Sequence, residues 1–256
     1  MKLGKFLEKI FLRTLFGYEC VGVYQACWQI SNSYVGIILV AMGVDYLPRL
    51  TRIVDDHSAV VRNVNEQLEL GVVIAGVGIA AIYLLAPIGL SILYTQDFVG
   101  GASIIRWQVL GVLLRVLAFP FSYYLIAKGR GVLYVVVQVL FFIVEFMMLV
   151  IVAKFWGLAL LGLNYPLAYI VYLIANVIIV ARAVKYKPSS RFLLIFGRTL
   201  MLLVLVIAIV HIVESYIAYI LGLVLICIYA FYAYRAIIVK EFGIDALLMI
   251  RGRLRR

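Results

Sequence analysis

Charge is scarce in this chain: Asp, Glu, Lys and Arg make up 14% of its 256 residues, against about a quarter in a soluble domain. With 66% hydrophobic residues and a mean hydropathy of +1.13, no water-soluble fold accounts for the composition. Histidine and cysteine are scarcer still. His57 and His211 are isolated, and Cys20, Cys27 and Cys227 are an odd set in or beside apolar runs. That leaves no metal-ligand spacing and no disulfide framework. The acidic pair in 54-VDDHSAV-60 reads as a solvated loop rather than a metal or acid-base site. No catalytic constellation and no cofactor motif is visible, so an enzyme is not expected.

What the chain has instead is long apolar runs. They come in blocks of about 20 residues, the length that carries a helix across the hydrocarbon core. Seven blocks are candidate spans: 21–47, 68–94, 104–127, 132–153, 158–181, 192–213 and 216–238, with Trp107 and Trp156 as belt residues. The runs are continuous rather than alternating, which predicts helices and not barrel strands. The expected class is an all-α polytopic membrane protein.

Lysine and arginine set the expected orientation. Loops 49–66, 128–131, 182–191 and 235–256 carry three, two, four and six basic residues, whereas the turns near 97, 154 and 214 carry only Lys154. Retention of basic loops in the cytoplasm places the first set and the C-terminus inside. The net charge of +11 belongs to this asymmetry and to contact with anionic membrane lipids; no basic run resembles a nucleic-acid arm. Residues 1-MKLGKFLEKIFLRTLFGYE-19 conflict with it, because Lys2, Lys5, Lys9 and Arg13 would lie outside. They read either as an amphipathic helix on the membrane or as the end of a further span whose beginning is absent. They lack the apolar core and cleavage site of a signal peptide.

Ordered short motifs carry a resemblance. The runs 21-VGVYQACWQISNSYVGIILVAMGVDYLPRLTRIVDD-56, 63-NVNEQ-67 and 93-LYTQDFVGGASIIRWQVLGVLLRVLAFPFSYYLIAKGRG-131 resemble the C-terminal part of the O-antigen and polysaccharide flippases. These belong to the multidrug/oligosaccharidyl-lipid/polysaccharide exporter superfamily. The motifs are GxYQAxWxIS, YLPRL, VNEQ, LYxxxF and WQxxGxxLR. The resemblance implies two six-helix lobes around a central cavity, often with two extra helices, in a longer chain. The expected division is 1–20, a basic amphipathic segment or truncated helix; 21–185, the second-lobe bundle; 192–238, an additional hairpin; and 239–256, a basic cytoplasmic tail. The implied function is translocation of lipid-linked oligosaccharide, as polyprenyl-diphosphate-linked O-antigen or polysaccharide units, across the bacterial inner membrane. A separate first-lobe polypeptide is the implied partner. The alternatives are an inactive truncated remnant, a cation or drug antiporter of the same superfamily, and a membrane-embedded glycosyltransferase. The glycosyltransferase is disfavoured by short outer turns, and the antiporter by the predominance of buried basic and amide groups.

The polar residues within spans are the site candidates. Arg115 lies about 17 Å along its span at 1.5 Å per residue, too deep for easy snorkelling. Glu145 stands level with it across the KGRG turn. Intramembrane charge is costly and faces the bundle interior or a cavity, so the pair reads either as a lining that attracts an anionic diphosphate headgroup or as a structural salt bridge. Arg106, beside Trp107, and Arg198 read as snorkelling residues. A stripe of Gln25, Trp28, Gln29, Asn32 and Gly36 at helical spacing suits sugar hydroxyls, as does Tyr165, Tyr169, Tyr172 and Asn176. Gly71, Ala75 and Gly78 form a small-residue face for close helix packing, and Pro87, Pro120 and Pro166 can bend their helices.

Overall fold

A computed structural model describes residues 2–213 and 216–242, with side-chain surroundings for 4–213 and 216–235. Seven of its helices are long and apolar enough to cross a membrane: α1 (Lys2–Ile53), α2 (His57–Leu93), α3 (Ala102–Ala127), α4 (Gly131–Trp156), α5 (Asn164–Val184), α6 (Ser190–Ile212) and α7 (Tyr216–Phe242). No strand occurs among the described residues. Of the expected tail 239–256, residues 243–256 lie outside the described part.

Two boundaries differ from expectation. The predicted loop 49–66 is a three-residue turn at 54–56, because α1 continues to Ile53 and α2 starts at His57. Asp56 stops the chain from fraying there: its carboxylate accepts from the backbone of Ser58 at 2.9 Å and Ala59 at 3.1 Å, satisfying the free N–H groups of the first turn. Charge ends a membrane span without ending the helix. In the same turn Asp55 meets Lys128 at 2.7 Å, and this pairing holds the Asp55 carboxyl below and the Lys128 amine above their ordinary ranges. The second difference is at 158–163, the start of the predicted span 158–181. Gly157 turns at φ 70, a short 3-10 turn spans Leu161–Leu163, and α5 starts only at Asn164. Of its leucines, Leu161 is fully buried and Leu158 is exposed.

α1 is two helices joined at Gly17, where φ 85 and ψ 179 break the helical path; only glycine adopts that conformation cheaply. The segment before the break packs against the bundle. Gly4 lies against the Phe142 ring, Phe11 meets Phe146 edge-on at 6.0 Å, and both partners belong to α4.

α3 is the most enclosed element, its span window 72% buried against 28% for α4. It packs on α5, α2 and α1; α4 leans mainly on α5, while α6 and α7 pack on α2 and on each other. The predicted α3–α4 hairpin is therefore joined by a tight turn, but its two arms share α5 as their common neighbour. The small face of α2 works as expected of small residues: Gly78 receives the Tyr34 ring so closely that a Cβ would overlap it, and the Tyr34 hydroxyl donates to Ile74 O at 3.1 Å. Gly111 of α3 is pressed on Tyr165 and Pro166 of α5, where a Cβ would lie 2.7 Å from the Pro166 nitrogen.

Candidate functional site

These close approaches leave a cavity of about 460 Å³ between α1, α3, α4 and α5. Its wall includes Trp28, Gln29 and Asn32 of α1, Arg115 of α3, Glu145 of α4 and Tyr169 of α5, all singled out in the sequence, together with Tyr165 and Tyr172. The centre of the polar wall is one amide oxygen. Arg115 Nη1 donates to Asn32 Oδ1 at 3.0 Å and the Tyr165 hydroxyl donates to the same atom at 2.6 Å. Both lone pairs of that carbonyl are then used. Asn32 is fixed in turn by donating to Trp28 O at 3.2 Å. Arg115 has no carboxylate within 4.0 Å among the described residues, so its guanidinium fork is held in place by neutral groups and keeps its full charge for a guest.

Of the two readings of the Arg115–Glu145 pair, the salt bridge is not formed: both residues line the cavity, but no ion pair within 4.0 Å joins them among the described residues. Glu145 accepts from Lys5 Nζ at 2.7 Å, and Lys5 also reaches Glu8 at 3.0 and 3.1 Å. The physical reason is the order of helices: α4 leans on α5 and on the first segment of α1, so the nearest cation to Glu145 comes from Lys5. Lys5 lines the same cavity and sits 5.4 Å from the Trp28 ring centre. The sequence reading leaves Lys5 in a segment that is either an amphipathic helix on the membrane or the end of a further span, and does not place it in the site. The signal was there: Lys5, Glu8 and Leu12 follow one helical face at i, i+3 and i+7, and Glu8 and Leu12 are 2% and 0% exposed. The expectation that basic and amide groups dominate the site is likewise incomplete, since two buried carboxylates stand in or beside its wall.

Two further candidates are not in the cavity. Gln25 is exposed on α1, nearly one turn before Trp28, and is not among the residues that line the cavity. Asn176 is fully buried but follows Tyr172 by one turn and donates to that residue's backbone oxygen at 2.9 Å, the local bond that short amides make in helices. The tyrosines of α5 form an aromatic wall. Ring centres of Tyr165 and Tyr169 are 4.8 Å apart, Phe141 lies 4.6 Å from Tyr169 and 5.1 Å from Tyr172, and the Tyr172 hydroxyl donates to Gln138 Oε1 at 3.1 Å. Arg106 and Arg198 are elsewhere, over the rings of Tyr83 at 5.6 Å and Tyr232 at 4.8 Å.

The motif residues hold this site together. Ser31 donates to Gln108 at 3.0 Å, tying α1 to α3, and Asn164 donates to the Tyr24 hydroxyl at 3.4 Å, tying α5 to α1. Gln108, Gly111 and Arg115 therefore share one face of α3 as bond, close contact and site residue. Asn65, from the VNEQ motif, accepts from Tyr186 at 3.1 Å and Ser189 N at 2.8 Å and donates to Lys187 O at 3.1 Å, stapling the α5–α6 linker to α2. Tyr94 and Phe98 stack at 5.2 Å.

No family model matches the chain. Its sequence is similar to the lipid III flippases of Escherichia coli (strain K12) and Shigella flexneri, each 26% identical over 128 residues, which is 50% of this chain and 30% of the flippase. Its structure is similar to the lipid II flippase MurJ in an inward closed conformation, with a TM-score of 0.71 at 12% identity over 92% of this chain and 51% of that one. The chain thus spans about half the length of that solved structure and less of the curated relatives. It is an all-α, multi-pass membrane protein with the helical arrangement of a solved membrane transporter over that shared length.

Proposed function

We propose that the chain takes part in flipping lipid-linked oligosaccharide across the bacterial inner membrane, with the cavity between α1, α3, α4 and α5 receiving the headgroup. The observation that carries this reading is Arg115, a partly buried guanidinium within a membrane span whose hydrogen-bond partner is the neutral side chain of Asn32. Removing such a charge from water costs several kcal/mol by insertion scales, and a bundle that needed only packing would fill the place with an apolar residue. A planar fork with free donors suits phosphate oxygens bidentately. The tyrosine wall and the Gln29, Asn32 and Gln138 amides suit sugar faces and hydroxyls. The similarity to lipid III and lipid II flippases supports the same substrate class. Within it, we assign polyprenyl-diphosphate-linked repeat units of O-antigen or a related polysaccharide. A first-lobe polypeptide, encoded separately or in the same gene, would close the remaining side of the cavity. The basic cytoplasmic loops orient the C-terminus inward.

Titration of the purified chain with geranylgeranyl diphosphate, followed by calorimetry, tests the headgroup assignment. Saturable binding that weakens at least tenfold in Arg115→Ala, and is absent for geranylgeraniol, is the expected result. Equal binding of the alcohol and the diphosphate would remove the assignment.

A further inference from the structure

Glu8 and Glu145 come from different helices, are 2% and 1% exposed, and meet at a single cation. Lys5 Nζ lies 3.0 and 3.1 Å from the two oxygens of Glu8 and 2.7 Å from Oε1 of Glu145. The second oxygen of Glu145 is buried with no hydrogen-bond partner among the described residues. Two desolvated carboxylates repel one another, and each is costly to bury without a positive partner. What holds them together is a positive charge at their common focus. We propose that Glu8 and Glu145 form a monovalent-cation cradle at the edge of the cavity, and that the chain fills it with its own tethered ammonium, Lys5.

An ammonium is close to a potassium ion in size, and its three donors are compact and freely oriented. The lysine stem starts one helical turn before Glu8, so the cation is delivered by the same segment that carries half of the cradle. The segment also meets α4 through Gly4 on Phe142 and Phe11 on Phe146, and it joins the rest of α1 at the Gly17 break. The cradle therefore latches the chain before Gly17 onto α4, and it does so without a free ion. Arg115 takes no part in the latch, since its described hydrogen bond goes to Asn32. The site has a chemical class, monovalent cations, that becomes available to solutes once Lys5 is removed.

The test is the melting temperature of the full chain in detergent at constant ionic strength in choline, potassium or ethylammonium chloride. The wild type is expected to melt at one temperature in all three salts. Lys5→Ala is expected to melt several degrees lower in choline and to recover at least half of that loss, saturably, in potassium or ethylammonium. The recovery is expected to vanish in Lys5→Ala/Glu145→Gln, which has lost half of the cradle. Lys5→Gln fills more of the space and carries the same comparison where Lys5→Ala does not fold. Melting of the lysine variants that is identical in the three salts, or failure of both to fold in any of them, overturns the proposal. So does a recovery that persists without Glu145, which marks a nonspecific salt effect.

Discussion

Arg115 of α3 and Tyr165 of α5 donate to one and the same oxygen, Oδ1 of Asn32, at 3.0 and 2.6 Å. An amide there orients the guanidinium without neutralising it. Asn32→Asp is isosteric and turns that partner into a carboxylate, which would hold the guanidinium as a buried ion pair. The variant is expected to fold as well as the wild type and to bind geranylgeranyl diphosphate at least tenfold more weakly, about 1.4 kcal/mol. Retained affinity in calorimetry would show that the free charge on Arg115 is not what the anion uses.

The partner of Glu145 is open to a double-mutant cycle on melting. Lys5 with Glu145 should show a coupling energy of about 1–3 kcal/mol, as expected for residues in one ion-pair network. Arg115 with Glu145 should be additive within roughly 0.5 kcal/mol. The reverse pattern would place the salt bridge between α3 and α4, as their level positions in the sequence first imply.

Much of the fold is legible in the sequence because the bilayer imposes it: the seven apolar runs match seven helices, whereas the helix ends at Asp56 and Gly157 are not marked by hydropathy. Which spans touch is not legible in the same way. Hydropathy gives each helix a length but no neighbour, so the α3–α4 turn pointed to a packed hairpin, whereas α5 is the main partner of both. Arg115, Asn32 and Tyr165 could each be picked as polar residues at depth. Their convergence depends on the close approach of α3 and α5 at Gly111. Lys5 is not legible as a site residue until Glu8 and Leu12 are placed on its helical face and α4 is placed against that face.

That close approach is itself testable. Gly111→Ala puts a methyl group against the Pro166 backbone, which cannot swing aside as a side chain does. It is expected to destabilise the chain by about 1–3 kcal/mol, the usual range for overpacking. Gly36→Ala meets nothing within 4 Å and is expected to melt within a degree of the wild type. Equal melting of the two variants would contradict the packing of α3 on α5.

Orientation is checked by thiol labelling in intact cells, on a background with Cys227 replaced because it is exposed. A cysteine at Asp97 is expected to react with a membrane-impermeant maleimide, and cysteines at Ser58 and Lys187 to react only after the membrane is opened. Labelling in the opposite sense reverses the assignment of inside and outside.

The most direct measurement of the central claim is translocation of a polyprenyl-diphosphate-linked saccharide by vesicles, in the presence of the complementary lobe, with folded protein matched across variants. Arg115→Ala is expected to lose most of the transport, roughly a hundredfold for an interaction of about 2–3 kcal/mol, and Arg115→Lys to keep part of it, because the charge remains while the bidentate fork is lost. Transport by Arg115→Ala at the wild-type rate would contradict the account.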